Sequence, residues 1–401
     1  MITILLPNGG KYMPNKEMLL IPGPTPVVDE IYDALSRETM SHTDPRFAAI
    51  FKEALAKTRK MFNTDGEVFV IAGSGTLSME MALVNTVGPG EKLLIVSHGY
   101  FGDRFISLAR ALGIKAEVLQ SEWGKPVSPS KIEAKLKEGG FKAVTITHVD
   151  TSTGVMSNLE ELVPVVKKFG ALFILDGVCA TAAIEENMSK EYGHPDYKID
   201  VAFTASQKAI GVPPGLAIVA FGPKALEARE KLGSVGSYYA DIKNWTNIMQ
   251  EPSKYFATHP INMIYAFGTA MEIVFREGLD VRYCRHIAIG KAIRAAMGVY
   301  NMNILAGEDV AAPTLSCILY PKGVDDASFR SSLASKGLIV AGHLGILAGK
   351  GFRLGHMGNT TNDIFIKAIK VIGETLKEQG LEADVAQAVR SFEDVFKKAN
   401  K

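Results

Sequence analysis

Cysteine is scarce in this chain, and its scarcity excludes two classes of protein. The three cysteines, Cys179, Cys284 and Cys317, are odd in number and widely spaced, and no two of them form a Cys-x-x-Cys pair. This pattern fits a reducing compartment better than a disulfide scaffold. The eight histidines show no metal-ligand spacing either, so the sequence predicts no metal site.

An excess of charge of one sign is also lacking. The sequence has 44 basic and 43 acidic side chains, a net charge of +1, and no basic cluster interleaved with aromatic residues. Binding to nucleic acid or to an anionic membrane surface is therefore disfavoured. Small molecules are the expected partners.

The N-terminus has no long hydrophobic run. Residues 1–6 have no basic lead, and their short apolar run ends at Pro7. Such a segment is neither a signal peptide nor a membrane span. The chain is therefore expected to be a cytoplasmic enzyme or binding protein.

Short apolar runs alternate with helical patterns through the first two thirds of the chain. Each run is apolar throughout, and the stretches between runs are long enough for helices. This indicates an α/β fold in which a mostly parallel sheet is covered on both faces. The runs are residues 68–71, 93–96, 143–147, 172–175, 201–204 and 216–220, and the helical patterns include 76–86, 102–111, 129–137 and 159–168.

Two domains are expected, because 401 residues exceed the size at which one hydrophobic core stops growing. Residues 1–24, rich in proline and glycine, are predicted to be extended. A large domain is predicted over residues 25–275, and a smaller α+β domain over residues 276–401, where strand and helix patterns mix. The helical stretch from Ile261 to about Val299, interrupted near Gly278, is interpreted as the bridge between them.

Lys208 and Asp176 form the first candidate pair. Lys208 lies in a tight polar turn directly after the apolar run 201–204, and Asp176 closes the apolar run 172–175. Pyridoxal phosphate needs an amine for a Schiff base and an acid that keeps its pyridinium nitrogen protonated. Taken alone, Lys208 fits a solvated surface charge and Asp176 fits a buried cap.

A glycine-rich turn, Gly73-Ser74-Gly75-Thr76, stands between the first sheet strand and a helical pattern. Backbone amides at such a helix N-terminus can hold a phosphate. A dinucleotide site is the alternative, but Ser78 replaces the third glycine of Gly-x-Gly-x-x-Gly, and the next strand ends at Ser97-His98 without an acid for a ribose. A purely structural strand-to-helix turn fits this motif as well as phosphate binding does.

Two more turns follow strands. Phe101 stands in Gly99-Tyr100-Phe101-Gly102 and can lie flat on a planar ring, or can plug the end of a strand. Thr151, in a hydroxyl-rich turn, can donate to a ring oxygen or cap a helix. All these turns follow the carboxyl ends of strands, where open α/β sheets bind ligands. Their shared position favours a single site.

Together these motifs resemble a known family. Over nearly its whole length the chain is similar to the fold-type I, class V pyridoxal-phosphate aminotransferases of the alanine–glyoxylate and serine–pyruvate group. The resemblance implies a seven-stranded, mostly parallel sheet in the large domain and pyridoxal 5'-phosphate as the cofactor. The matching segments are 20–25, 73–76, 99–104, 151–154, 176–178, 206–208, 213–215 and 352–355.

The resemblance also implies roles for single residues. Lys208 would bind the cofactor covalently and shuttle the substrate's Cα proton, and Asp176 would pair with the pyridine nitrogen. Thr151 would contact the phenolic oxygen, and Val178 would pack on the ring face opposite Phe101. Phenylalanine is a departure here, because the family often has tryptophan or tyrosine at the stacking position. The phosphate would be held by Ser74, Gly75, Thr76 and Gln207.

Three residues at a distance from these turns complete the implied site. Tyr265, at the start of a long helix, would reach the phosphate of the neighbouring subunit, which implies a homodimer with shared active sites. Arg353 would clamp the substrate α-carboxylate, since a guanidinium suits a bidentate pair, although the isolated residue fits a surface salt bridge equally well. The turn around Gly23 would line the substrate pocket through its backbone.

One arginine accounts for the α-carboxylate, and no second arginine stands in a motif assigned to a side-chain carboxylate. We therefore predict alanine or serine as the donor and glyoxylate or pyruvate as the acceptor, in ping-pong half-reactions through pyridoxamine phosphate.

Alternatives remain within the family and outside it. Aminoethylphosphonate and ureidoglycine transaminases share these motifs. A cysteine desulfurase-like lyase needs a mobile cysteine, whereas Cys317 lies in an apolar strand-like run. An NAD-dependent dehydrogenase is disfavoured by the missing ribose acid, and a non-catalytic binding protein by the presence of Lys208.

Overall fold

A computed structural model of the chain describes residues 4–5, 11–12 and 17–399. The segment 1–24, expected to be extended, lies partly outside these residues. Among the helices of the described residues, none has the length and apolarity that a membrane crossing requires.

From β4 to β10 the strands of the large sheet alternate with helices along the chain, as the apolar runs predict, whereas no helix separates β10 from β11 or β11 from β12. The strands of the large sheet are β4 (Glu67–Ala72), β5 (Lys92–Ser97), β6 (Lys115–Gln120), β7 (Phe141–Thr147), β10 (Leu172–Asp176), β11 (Val201–Ala205) and β12 (Leu216–Phe221). The other strands are β1 (Ile4–Leu5), β2 (Lys11–Tyr12), β3 (Met18–Leu19), β8 (Val149–Asp150), β9 (Val155–Met156), β13 (Asn303–Ile304), β14 (Leu315–Leu319), β15 (Leu338–Ile339), β16 (Ala341–Gly342) and β17 (Gly351–Gly355). The helices are α1 (Asp29–Leu35), α2 (Pro45–Phe62), α3 (Gly75–Val84), α4 (Tyr100–Ala111), α5 (Pro129–Leu136), α6 (Leu159–Lys167), α7 (Pro223–Lys231), α8 (Ile242–Gln250), α9 (Ile261–Glu277), α10 (Leu279–Val299), α11 (Asp326–Ser335), α12 (Asn362–Glu378) and α13 (Val385–Ala399).

The large sheet has seven strands in the order β4-β12-β11-β10-β7-β5-β6. Strand β12 is antiparallel to both of its neighbours, and every other pair in the sheet is parallel. The predicted mostly parallel, seven-stranded α/β sheet is thereby confirmed. Strands β10, β11 and β12 are buried along their whole length, which explains their unbroken apolar sequences.

Strand β6 is the member of the sheet that none of the apolar runs predicts. It lies at one edge and pairs with β5 alone. Its exposed positions carry Lys115, Val118 and Gln120, and polar residues interrupt the strand, so its sequence is not apolar throughout. Charged side chains are expected on an edge strand, because they keep its unpaired backbone groups from pairing with a strand of another chain.

A second, four-stranded sheet has the order β13-β14-β17-β16 and carries Arg353 in the middle of β17. The helical stretch after residue 260 consists of two helices, α9 and α10, separated by Gly278 at a φ of 87°. The described residues contain two large hydrophobic cores, one around the seven-stranded sheet and one between α10, α12 and α13. The domain division at residues 24/25 and 275/276 stays a prediction.

Candidate active site

A cavity of about 140 Å³ lies at the carboxyl ends of the parallel strands. Its position is that of ligand sites in open α/β sheets. A larger cavity of about 740 Å³ beside the start of α6 contains none of the predicted site residues. Converging polar groups identify a site better than volume does, so we assign the smaller cavity. It is lined by Ser74, Gly75, Thr76, Met79, Phe101, Arg104, Val149, Thr151, Asp176, Val178, Gln207 and Lys208.

Lys208 enters the cavity from the turn after β11. Its Nζ donates a hydrogen bond to the Pro22 carbonyl at 2.7 Å, and its own carbonyl accepts from Thr25 Oγ1 at 2.8 Å. A Cβ built on Gly23 would lie 2.5 Å from Lys208 Nζ, and Gly23 has a φ of 132°. Only glycine fits this position, so the backbone of the N-terminal turn packs directly on the amine.

Asp176 ends strand β10, and its side chain is 3% exposed. Its Oδ1 accepts a hydrogen bond from the Val178 amide at 3.0 Å. Burial raises the pKa of this carboxyl to about 7; the Val178 amide opposes the shift, and the nearby Asp150 carboxylate adds to it. A buried carboxyl with a raised pKa is poised to ionise when a cation arrives beside it.

The N-terminus of α3 faces the cavity with backbone amides that have no hydrogen-bond acceptor within the helix. The first amides of a helix, here those of Gly75 and Thr76, have no intrahelical acceptor. Ser74 is the N-cap residue, yet its hydroxyl makes no capping hydrogen bond. Among the described residues, no group pairs with the buried Gln207 Oε1. These groups suit a phosphate at a helix N-terminus.

Asp150 anchors the neighbouring helix α4. Its Oδ2 accepts from the amides of Phe101 and Gly102, each at 3.0 Å, and its Oδ1 accepts from the amide and hydroxyl of Ser152. The carboxylate thereby takes up the free amides at the start of α4 and sets where Phe101 stands. Asp150 is a functional residue that the sequence does not reveal, because an Asp in a hydroxyl-rich turn carries no distinguishing signal.

Thr151 and Arg353 meet beside the cavity. Thr151 Oγ1 lies 2.6 Å from Cys179 Sγ, and the Thr151 carbonyl accepts from Arg353 Nη1 at 3.4 Å. Arg353 Nε also donates to the Gly342 carbonyl at 3.0 Å, and burial lowers the pKa of the guanidinium. Within residues 17–399, no carboxylate pairs with Arg353. A buried, unpaired guanidinium suits an anionic ligand.

Tyr265 lies near the start of α9. The side chain is 1% exposed and packs in the core of its own subunit, with its ring 6.2 Å from that of Phe47. Its hydroxyl makes no hydrogen bond within the described residues, and its role at the phosphate of a neighbouring subunit stays a prediction. The sequence showed only an aromatic at a helix start, and such a residue can face the core as readily as the surface.

The described residues contain no cluster of three potential metal ligands. They do fit pyridoxal phosphate. Lys208 supplies an amine, Asp176 an acid for a ring nitrogen, and the start of α3 a phosphate cradle. The unpaired Gln207 Oε1 and the close approach of Gly23 to Lys208 are features that packing alone does not require.

The description "Aminotransferase class-V" belongs to the family model that matches residues 24–344 of this chain. The chain is 31% identical to serine–glyoxylate aminotransferase of Methylorubrum extorquens, over 94% of this chain and 95% of that protein. It is 29% identical to L-aspartate–glyoxylate aminotransferase of Paracoccus denitrificans, over 96% and 97%. The crystal structure of ureidoglycine–glyoxylate aminotransferase of Bacillus subtilis matches with a TM-score of 0.88 and 25% identity, over 95% and 98%.

Proposed function

This chain belongs to the class V aminotransferases, and from that premise we propose that it moves the amino group of alanine or serine to glyoxylate or pyruvate. The enzyme is a pyridoxal-phosphate-dependent transferase. The observation that carries the proposal is the convergence of Lys208, Asp176 and the N-terminus of α3 on one cavity.

Pyridoxal phosphate, when bound, supplies a carbonyl that links to amines and a ring that accepts electrons when the substrate Cα–H bond breaks. We assign to Lys208 the covalent attachment and, once its amine is free, the transfer of the proton at Cα. The contact of Nζ with the Pro22 carbonyl supports this role, because it holds the amine inside the cavity. A positioned base of this kind contributes about 10²- to 10⁴-fold to a rate.

We assign Asp176 to the pyridine nitrogen. Burial raises the pKa of its carboxyl to about 7, so a cation beside it favours the ionised form. The resulting pair keeps the nitrogen protonated. Phe101 and Val178 line the same cavity and are assigned to the two faces of the ring.

We assign Arg353 to the substrate α-carboxylate and Gly23 to the wall of the substrate pocket. Arg353 lies on β17 of the second sheet, and its hydrogen bond to the Thr151 carbonyl places its guanidinium at the edge of the cavity. Its Nη2 atom makes no hydrogen bond within the described residues, so one arm of the fork is available for a carboxylate.

The choice of glyoxylate as acceptor is supported by the three similar proteins named above, each of which has glyoxylate in its name, with serine, aspartate or ureidoglycine as the donor. The choice of a neutral donor rests on Arg353, which accounts for one carboxylate. The buried Cys317 weighs against the lyase alternative, because burial raises the pKa of its thiol and keeps it from acting as a mobile nucleophile.

A screen of donors against acceptors tests this proposal. We expect alanine or serine with glyoxylate to give kcat/KM values at least about tenfold above those of aspartate, glutamate and ureidoglycine, a preference that corresponds to roughly 1.4 kcal/mol. A clear preference for aspartate, glutamate or ureidoglycine would contradict the choice of donor while leaving the aminotransferase assignment intact.

A homodimer is proposed as the working assembly. Tyr100, Tyr238 and Tyr255 are 45%, 77% and 63% exposed, and the hydroxyl of the neighbouring Tyr239 donates to the Ala72 carbonyl beside the phosphate cradle. Large aromatic side chains exposed on a surface favour a contact with another protein chain, and Tyr100 is the direct neighbour of the cavity residue Phe101. Light scattering should give twice the monomer mass, and a monomer with full activity would contradict the shared site.

A further inference from the structure

Arg104 is a guanidinium in the cavity to which no function has been assigned so far. It lies on α4, three residues after Phe101, and lines the cavity together with Lys208 and Asp176. Its Nη1 donates a hydrogen bond to Thr76 Oγ1 at 3.1 Å. Thr76 stands in the first turn of α3, so this contact brings Arg104 to the phosphate cradle.

Two features fix the direction of the Arg104 side chain. Helical side chains lean toward the N-terminus of their helix, so Arg104 extends back over the first turn of α4. Its Cζ atom lies 4.9 Å from the centre of the Phe101 ring and 5.7 Å from that of Tyr100. Asp150 in turn holds the start of α4 through the amides of Phe101 and Gly102. The guanidinium is thus held on an aromatic support.

The charges of the cavity leave Arg104 available for an anion. Of the described residues that line the cavity, three carry a formal charge: Arg104, Asp176 and Lys208. In the proposed function the Lys208 amine becomes the attachment point, and Asp176 is paired with the ring nitrogen. Within residues 17–399, no carboxylate forms an ion pair with Arg104, and the adjacent Asp103 bonds to Ser97 and Gln120 instead.

A phosphate monoester carries about 1.5 to 2 negative charges at pH 7. The N-terminus of α3 offers about half a positive charge, which leaves most of the phosphate charge without a partner in this subunit. We propose that Arg104 binds the cofactor phosphate together with Thr76 and the α3 amides. This proposal rests on the proposed function, because it presupposes that the cavity holds pyridoxal phosphate.

The test compares two ligands that differ only in the phosphate group. Full-length enzyme stripped of its cofactor is titrated with pyridoxal phosphate and, separately, with pyridoxal, and binding is followed by protein fluorescence and visible absorbance. For Arg104→Met we expect an affinity for pyridoxal phosphate about 10- to 100-fold lower, as for the loss of one charge-assisted hydrogen bond. The affinity for pyridoxal should change less than about twofold.

Two further variants make the result specific. Arg104→Lys keeps the positive charge and should recover most of the affinity for pyridoxal phosphate. Arg110→Met removes an exposed arginine from the same helix and should bind both ligands as the wild type does. A thermal melt of each stripped variant shows whether the fold is retained.

Two outcomes would overturn the proposal. Arg104→Met can lose affinity for both ligands equally, which would mean that Arg104 acts only by supporting Phe101. It can also bind pyridoxal phosphate as tightly as the wild type, and a raised KM for an amino donor would then assign Arg104 to a substrate carboxylate. A wild-type enzyme that binds neither ligand would overturn the proposed function itself, so the two failures are distinguishable.

Discussion

Two carboxyl groups lie at opposite ends of the neighbouring strands β10 and β11, and they are equally buried but differently paired. Asp176, at the carboxyl end of β10, and Asp200, just before β11, are each 3% exposed. Asp200 accepts from Lys167 Nζ at 2.5 Å and from the Phe173 amide at 2.7 Å. Asp176 accepts from the Val178 amide at 3.0 Å. Burial raises the pKa of both carboxyls, but only at Asp200 does a bonded ammonium oppose it.

The difference shows that one end of these strands contributes to stability and the other end to chemistry. A buried ion pair with every partner in place holds elements together, and removing one partner leaves an uncompensated charge. A buried carboxyl without a cation costs stability when it ionises, unless a ligand brings the cation. The two lysines follow the same division, since Lys167 is bonded to Asp200 whereas Lys208 bonds to the Pro22 carbonyl.

Removal of the Lys208 amine is expected to have the largest effect. For Lys208→Ala we predict a loss of transamination of at least about 10³-fold in kcat, because the attachment point and the proton carrier go together. The stability of the cofactor-free protein should barely change, since the amine holds no ion pair. Steady-state kinetics and urea unfolding measure both, and retained transamination would contradict the assignment.

Removal of the Lys167 amine should lower stability and leave activity unchanged. For Lys167→Met we predict that the free energy of unfolding falls by about 3 to 5 kcal/mol, because Asp200 is left buried without its cation. The kcat per folded molecule should stay close to that of the wild type. Urea unfolding at pH 7 measures the loss, and Lys125→Met, which breaks an exposed pair with Glu122, should leave stability unchanged. A similar stability for Lys167→Met and Lys125→Met would remove the contrast.

Neutralising Asp176 should stabilise the cofactor-free protein. The folded pKa of about 7 lies above the ordinary value of 3.8, so between these pH values the folded state binds more protons, and the free energy of unfolding falls as pH rises. Asp176→Asn removes this loss, and we expect it to be more stable than the wild type by about 1 to 3 kcal/mol at pH 8 and by less at pH 5.

The matched change at the opposite end of the strands is Asp200→Asn, which breaks the ion pair with Lys167 and should lower stability at pH 8. Urea unfolding of the three stripped proteins at pH 5 and pH 8 checks both signs. Destabilisation by Asp176→Asn at pH 8 would mean that Asp176 is a structural carboxyl like Asp200.

The smallest predicted effect concerns the shape of a guanidinium. Arg353→Lys keeps the charge but loses the planar fork, so we expect the KM for the amino donor to rise about tenfold, with a smaller change in kcat. Arg330→Lys, which alters the partly exposed pair with Asp326, is the control and should leave KM unchanged. An unchanged KM in Arg353→Lys would argue against a bidentate carboxylate contact.

The sequence predicted the fold and most of the cavity because these features rest on local patterns. Unbroken apolar runs locate the buried strands, and the turns behind them bring Ser74, Phe101, Asp176 and Lys208 to one edge. The edge strand β6 was missed because polar residues interrupt its sequence, so that it forms no unbroken apolar run.

The orientation of single side chains was less predictable. Tyr265 lies on the buried side of α9, which a position at a helix start does not determine, and its contact with a partner's phosphate stays a prediction. Arg104 belongs to the matching segment 99–104, but the sequence predicts no role for it, because its closeness to Thr76 depends on how α3 and α4 pack. Contacts between elements far apart in sequence leave no local pattern to read.

The most direct test of the account is to locate the cofactor on the chain. The purified yellow enzyme is reduced with borohydride, which fixes the link between pyridoxal phosphate and its lysine, and is then digested and mapped by mass spectrometry. We predict a single adduct on Lys208. Lys167 should stay unmodified because it is buried and paired with Asp200. An adduct on another lysine, or a colourless protein without any adduct, would contradict the account.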